Sequence, residues 1–389
     1  MSRAWLTEGA LPDPVATLSK VPVLCNALWP TAAAALSAPT GDIELCYSPV
    51  SGYLWNRAFD PQLAAYDPAY ENSLHHSPRF QAFIDGLARR LVDRYDLRGR
   101  RIVEIGPGEG NFLALLCELG DNEGLGYDAA YDPDRSKVVT SPRMRIIRAH
   151  YPYDRRVDGD LVVCQHVLEH LPDPAALVEG VRRSIPEGHQ TNVYFEVPDA
   201  TYMVEQLAVW DLIYEHFSYF AAPTLQTLFR RAGFEVTKVA RAFGDQYLYL
   251  EGRPGEAAPD AVPDPVELAK LSNLVNVFGR HLSQLVETWS ERLDEQVGSR
   301  SVAVWGAGSK GVSFLNLVPA GREVAYVVDV NPNKSGLHVP GTGHAVVAPQ
   351  QLVGRTVDTV LVMNPLYVDE IADTVSHLGL RADVLAVTD

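Results

Sequence analysis

The sequence predicts an α/β fold: a Rossmann-like core, a small lobe before it and a second Rossmann-like domain after it. Two glycine-rich stretches and one proline-rich break carry the prediction. In Arg101-Ile-Val-Glu-Ile-Gly-Pro-Gly-Glu-Gly-Asn-Phe-Leu-Ala-Leu-Leu116 a short apolar run gives way to three alternate glycines and then to helical apolar spacing. That is the layout of a parallel strand, a tight turn and a helix. Ser301-Val-Ala-Val-Trp-Gly-Ala-Gly-Ser-Lys-Gly311 repeats it with a full G-x-G-x-x-G. Between the two, Arg253-Pro-Gly-Glu-Ala-Ala-Pro-Asp-Ala-Val-Pro-Asp-Pro265 has the acidic, proline-rich composition of a linker. The expected divisions are a lobe over 1–60, a core over 61–255, a linker with a long helix over 256–297, and a closing domain over 298–389.

The remaining elements follow from periodicity. Runs 21–26 and 43–47 have strand character, 32–36 a helical turn, and 78–96 the spacing of an amphipathic helix. Gly124-Leu-Gly-Tyr-Asp128, Asp160-Leu-Val-Val-Cys-Gln165 and Asn192-Val-Tyr-Phe-Glu196 read as further buried strands, the last followed by a helix through Trp210. A helix beginning at Pro223 stops at Gly233, and 235–242 with 246–250 form a hairpin. Leu268, Leu271, Leu274, Val275, Phe278, Leu282 and Leu285 mark one helix over 266–296, whose stripe suits packing on its own lobe better than a coiled coil.

Composition narrows the function classes. The 389 residues carry a formal net charge of −16, with 47% hydrophobic and 21% charged residues. Such a chain buries an ample core and lacks the clustered cations that a nucleic-acid backbone requires. No basic-then-apolar leader opens it and no apolar run approaches the ~18 residues of a membrane span, so a cytoplasmic setting is expected. The four cysteines, Cys25, Cys46, Cys117 and Cys164, show no C-x-x-C spacing. Cys117 and Cys164 fall on core-facing runs, where a thiol serves as a small apolar group.

The first glycine turn suits a cation better than a pyrophosphate. Gly106, Gly108 and Gly110 permit close backbone approach to a ligand, whereas Pro107 removes a donor that a phosphate cradle would use. Glu104, at the strand end, would repel a pyrophosphate. Asp128, about 20 residues beyond the turn, is placed to accept both hydroxyls of a ribose. The arrangement resembles the first motif of the class I S-adenosylmethionine methyltransferases, whose cofactor carries an ammonium and a sulfonium. That resemblance places Gln165 and His166 beside the methionine part of the cofactor.

Across nearly its whole length the chain resembles the sugar C-methyltransferase family of antibiotic biosynthesis. The resemblance rests on the glycine turn, on Val197-Pro-Asp199 after the fifth strand, on Tyr214-Glu-His-Phe-Ser-Tyr-Phe220, and on the Asp329 to Gly336 stretch with Pro340-Gly341. It implies a class I methyltransferase core, S-adenosylmethionine as cofactor with S-adenosylhomocysteine as product, and a small-molecule acceptor such as a nucleotide-linked keto-sugar. It also implies an N-terminal zinc on four cysteines. Here Ser48-Pro-Val-Ser-Gly52 stands at the knuckle, and hydroxyls replace thiolates poorly on Zn²⁺, so no metal is expected. Packing of Tyr53, Trp55 and Phe59 is expected to hold the lobe instead.

A carbon nucleophile beside a ketone must lose a proton before methyl transfer, and a histidine titrates in the useful range. By the resemblance, His216 is the base, Glu215 its orienting carboxylate, His170 a second histidine near the acceptor, and Tyr70 with Ser73 the approach to it. The family reads Tyr-x-Glu-His, whereas here Tyr214 directly precedes Glu215 and Ile213 fills the tyrosine slot; Tyr214 is carried as a catalytic candidate. On the acceptor side stand Lys310, Asn364 and Tyr367. Gly244-Asp-Gln-Tyr-Leu248 and Asn364-Pro-Leu-Tyr-Val-Asp-Glu370 depart from the sugar-branch loops, which leaves the acceptor more open than the chemistry. Three alternatives remain: O- or N-methylation of a small molecule, an NAD-dependent oxidoreductase using Gly306 to Gly311 with Asp329, and a non-catalytic scaffold that kept the cofactor pocket.

Overall fold

Strands buried on both faces seek the middle of a sheet, and two such strands, 101–105 and 161–165, are neighbours here. In the computed structural model, which describes residues 3–64, 73–133 and 143–387, the core strands are β1 (Arg101–Ile105), β2 (Glu123–Tyr127), β3 (Met144–Ile147), β4 (Leu161–Gln165), β5 (Asn192–Pro198), β6 (Phe234–Ala242) and β7 (Tyr247–Pro254). They form one seven-stranded sheet in the order β6-β7-β5-β4-β1-β2-β3. Only β7 runs against the others, paired antiparallel with both β5 and β6. This is the class I methyltransferase sheet. Strand order reverses between β1 and β4, and ligands of such sheets bind at the carboxyl ends beside that reversal. Parallel register brings the ends of β1, β2 and β4 level, with Ile105 opposite both Tyr127 and Cys164.

The helix Pro78–Arg94 is capped by the Ser77 side chain and carries a proline in its first turn. Its outer side is fastened to β7 by a buried carboxylate: Glu251 accepts from Arg90, from Tyr95, and from Arg94 at 2.6 Å. Burial alone would hold Glu251 neutral, but the tyrosine hydroxyl and the two guanidinium groups outweigh it and lower its pKa.

The N-terminal lobe is a four-stranded sheet of Ala16–Pro22, Thr40–Tyr47, Leu54–Asn56 and Ser218–Tyr219. Its last strand comes from the core, so the segment just after Glu215-His216 is clamped between two lobes. The first strand runs over Ala16–Pro22, mostly upstream of the predicted 21–26. The amides of Cys25 and Asn26 turn to the Glu215 carboxylate instead of a ladder partner. Tyr53 stacks on Trp55 at 5.5 Å, and Phe59 stacks on Tyr214 at 5.4 Å. The Ser48 and Ser51 hydroxyls donate to the carbonyls of Glu8 and Leu6 and accept from the amides of Ser51 and Tyr53. These hydroxyls spend their hydrogen-bonding capacity on backbone, and neutral oxygens of this kind are a donor set unsuited to Zn²⁺.

After β5 the predicted single helix is broken into Ala200–Glu205 and a 3-10 turn, Val209–Asp211, because Leu207 adopts φ 51°, which helix geometry forbids. The C-terminal lobe is a five-stranded parallel sheet in the order Val346–Val347, Tyr326–Val328, Val302–Trp305, Thr359–Val362, Asp383–Ala386. The long helix Pro265–Val297 begins at an Asp264 cap and does not stay on one lobe. Leu271, Val275, Phe278 and Leu282 join the core of the N-terminal sheet, while Trp289 and Leu293 join that of the C-terminal lobe. The helix is therefore a strut shared by two cores. No helix among the described residues is long and apolar enough to cross a membrane. Trp289 meets Phe314 edge-on at 5.7 Å, so Trp289→Ala should cost about 3–5 kcal/mol by cavity formation. Thermal unfolding should then show the C-terminal lobe loosening first.

Candidate functional site

A cavity of about 520 Å³ opens where the three lobes meet, and both glycine turns reach its wall. At one end stand the carboxyl ends of β1, β2 and β4. Gly106, Pro107 and Gly108 line the cavity together with Glu104, Asp128 and Gln165. The three glycines have separate reasons. A Cβ on Gly106 would strike Val167 and one on Gly110 would strike Ile146, whereas one on Gly108 would meet nothing within 4 Å. Gly108 alone faces open space. Gly110 is a packing glycine at φ 90° before the helix Asn111–Gly120 and does not line the cavity, a correction to its reading as a ligand-approach position.

Glu104 is buried and its Oε2 has no hydrogen-bond partner among the described residues. Burial, aided by the charge of Asp128, raises its pKa to about 8. A buried acid with an unused oxygen on a cavity wall is suited to a cationic ligand. Asp128 is held ready by its own turn, accepting from Gly108 N at 3.0 Å and Ala130 N at 2.8 Å. Gln165 donates to Glu196 at 3.1 Å.

Next along the wall lies a group the sequence only half reveals. His166 follows β4 at φ 53° and has Tyr247 edge-on at 4.5 Å. Its ring nitrogens are each 3.4 Å from a carboxylate, Nδ1 from Glu169 and Nε2 from Glu196. Burial opposes its charge, yet the two carboxylates outweigh burial and raise it to about 10, so His166 is an imidazolium at neutral pH. His170 and His216 meet edge to face at 4.9 Å. The Nδ1–H of His170 donates to the Glu215 carbonyl at 3.0 Å; in the neutral ring that leaves the Nε2 lone pair free. Burial and then His170 push His216 down to about 3, so its imidazole is neutral at working pH.

Two of the predicted catalytic side chains point elsewhere. Glu215 is buried with its carboxylate on the Cys25 and Asn26 amides, and it is not the acid that acts on His216. The acid whose field opposes the lowering of His216 is Glu169. Glu169, His170 and His216 each offer a donor atom within 4.8 Å of the others. Tyr214 is wholly buried, its ring against Gly41 and Phe59 and its hydroxyl accepting from Asp60 N at 2.8 Å. It holds the N-terminal lobe. Tyr214 and Glu215 both occupy the middle of a turn that His216 N closes on the Ile213 carbonyl at 3.2 Å, and both side chains are held by the N-terminal lobe. Tyr70 lies outside the described residues.

The C-terminal lobe closes the far side. Ser73, Lys310, Asn364 and Tyr367 all line the cavity, and two of them are tied to neighbours. Lys310 pairs with Asp211, and Asn364 exchanges two hydrogen bonds with Gln246 at 2.8 and 2.9 Å. Gln246 and Asp211 are site residues that sequence reasoning missed; each partners a residue that it found. At the second glycine turn, Asp329 accepts from Ala307 N at 2.9 Å and Asn331 N at 2.8 Å, and the ammonium of buried Lys334 sits 3.4 Å away. An acid so paired is poorly placed to grip the ribose of a dinucleotide.

Comparison with known proteins agrees with this geometry. Residues 75–239 match the family described as a methyltransferase domain, and residues 268–382 match the C-methyltransferase C-terminal domain. The C-methyltransferase NovU of Streptomyces niveus is 25% identical over 310 residues, covering 73% of this chain and 72% of its own. A ubiquinone biosynthesis O-methyltransferase of Neisseria meningitidis is 28% identical over 115 residues, 27% of this chain and 45% of its own. Among solved structures, the magnesium protoporphyrin IX methyltransferase of Synechocystis with bound S-adenosylhomocysteine overlays 46% of this chain and 84% of its own at 13% identity and a TM-score of 0.37. An S-adenosylmethionine-dependent methyltransferase of Mesorhizobium loti overlays 44% and 99% at 18% identity and a TM-score of 0.35. With a methyltransferase domain carrying the cofactor end and a match to the C-methyltransferase C-terminal domain closing the cavity, the chain is an S-adenosylmethionine-dependent methyltransferase.

Proposed function

We propose that the protein methylates an enolisable carbon of a small acceptor, a keto-sugar nucleotide or a related natural-product precursor, with His216 as the base. The observation that carries this reading is the placement of a neutral imidazole, His216, on the wall of the same cavity that holds Glu104, a buried acid with one oxygen unused. Glu104, Gly106, Gly108, Asp128 and Gln165 would hold S-adenosylmethionine, which supplies the methyl group as an electrophile. Because its conjugate acid is disfavoured by burial, His216 needs no prior deprotonation and keeps its lone pair for the acceptor.

The acceptor's C–H bond breaks as its proton passes to His216, and the electron pair remains as an enolate. That enolate carbon attacks the methyl group while the bond to sulfur breaks, its electron pair staying on sulfur. The enzyme's work is alignment and exclusion of water. His170, with Nδ1 fixed on the Glu215 carbonyl, offers Nε2 toward the acceptor. Glu215 acts on position alone, tying the histidine loop to the N-terminal lobe. Ser73, Lys310, Asn364 and Tyr367 form the acceptor wall, and the family resemblance assigns Tyr70 to the same approach. His166, charged beside Glu169 and Glu196, keeps that side of the cavity polar. The acidic character and the likeness to a C-methyltransferase over 73% of the chain support a small-molecule acceptor.

Two measurements follow. Glu104 is protonated at pH 7 when the cavity is empty, and a bound cation favours its ionised form. Binding of S-adenosylmethionine should therefore release close to one proton at pH 7, with affinity rising as pH approaches 8. In calorimetry across buffers of different ionisation enthalpy, Glu104→Gln should abolish the release and weaken binding about tenfold or more; an unchanged release assigns the proton elsewhere. For the base, His216→Asn should bind S-adenosylhomocysteine as wild type does but lose methyl transfer about 10²–10⁴-fold. In D₂O with S-adenosylhomocysteine present, wild type should exchange the acceptor's α-hydrogen and the variant should not. Methyl transfer to oxygen or nitrogen without carbon exchange would redirect the reading to O- or N-methylation.

A further inference from the structure

We propose that Glu169 is the positioning residue of the base: its carboxylate holds the charge that His216 acquires when it takes the acceptor's proton. The inference rests on the reading of His216 as base and adds a partner that the sequence pairing Glu215-His216 conceals.

The geometry leaves few other choices. Glu215 is spent on the amides of the N-terminal lobe. Glu169 sits in the short 3-10 turn Leu168–His170 that follows β4 and is 1% exposed, and neither of its oxygens has a hydrogen-bond partner among the described residues. Oε1 faces the His166 ring at 3.4 Å, which leaves Oε2 with its acceptor capacity unused. One donor atom from each of Glu169, His170 and His216 falls within 4.8 Å of the others. Isolated in this way, a carboxylate costs stability unless it is opposed by charge. His166 supplies that opposition at rest, with His170 and His216 also facing Glu169 and Cys164 and Tyr247 close by.

The chemistry needs such a group. When the C–H bond breaks, the proton becomes an N–H of His216 and the ring turns cationic in a place that disfavours cations. A fixed carboxylate nearby stabilises that cation, lowering the barrier to proton removal without touching the acceptor. Glu169 itself stays ionised throughout; the proton resides on His216 until it leaves to solvent.

Reactivity of His216 toward diethyl pyrocarbonate tests this without an acceptor, because attack by the neutral imidazole also builds positive charge on the ring. The full-length protein, saturated with S-adenosylhomocysteine, is modified and the histidines are followed by peptide mass spectrometry. Glu169→Gln should slow His216 about tenfold, the loss of one charge-assisted contact. Glu169→Asp should recover most of the rate, and the exposed His281 and His377 should react as in wild type. A merely structural role would loosen the pocket and leave His216 as fast or faster, which overturns the proposal. With a keto-sugar nucleotide as probe, Glu169→Gln should lower kcat with little change in KM, and the double variant with His216→Asn should be no worse than His216→Asn alone. Additive losses would count against it. If zinc or manganese restores activity to chelator-dialysed wild type and protects His170 and His216 together, the trio is a metal-ligand set and the proposal falls. Full methyl transfer by His216→Asn would instead remove the base reading, a result distinguishable from a failure of Glu169 alone.

Discussion

The gathering of three histidines, His166, His170 and His216, around the one buried carboxylate of Glu169 is the constraint on which the rest of this structure depends. Each group is ordinary in solution. Brought together where the turn after β4 meets the segment leading into Ser218–Tyr219, two of the histidines are biased toward opposite charge states. His166 is driven up to about 10 between two carboxylates, while His216 is driven down to about 3 by burial and by His170. One wall thus favours an imidazolium at His166 and a neutral imidazole at His216. The lobes exist to maintain that contrast, because admission of water would relax both shifts.

Closure comes from the long helix and the C-terminal lobe. The helix Pro265–Val297 buries its first half in one core and its last turns in another, so the second sheet cannot drift from the first without exposing apolar surface. Small polar ties complete the docking. Glu370 accepts from Ser77 Oγ at 2.9 Å and Arg79 N at 3.2 Å, and Ser313 donates to the Leu212 carbonyl at 3.2 Å. The second glycine turn, which in isolation spells a dinucleotide site, has Lys334 placed against its acid and presents its edge to the shared cavity. A Rossmann-like unit serves here as a wall.

Much of this was legible in the sequence wherever the relevant physics is local. Apolar runs placed β1, β4 and β5, and the turn with Glu104 and Asp128 announced a cationic nucleoside site, because strand, turn and charge all lie within about 25 residues. The fold class and cofactor followed from those residues and from the resemblance they support. What failed depended on contacts between distant segments. Adjacency in sequence made Glu215 the natural partner of His216, yet Glu215 lies in a tight turn before it and meets Cys25 and Asn26 across 190 and 189 residues. Tyr214 is drawn away from the site by its contacts with Gly41, Phe59 and Asp60 in the N-terminal lobe. Gly110 obeys Ile146, not a ligand. Glu169 stood one residue before a histidine already singled out; only burial shows that its oxygens are unused.

The central claim is that the base rests as a neutral imidazole, and its ring nitrogens report this directly. Nitrogen-15 NMR of the protein labelled in histidine, with His216→Asn used to assign the signal, should show His216 neutral from pH 8 down to pH 5 while His166 keeps the shifts of an imidazolium over the same range. A His216 signal that titrates near pH 6.5, as a solvated histidine does, would contradict the account.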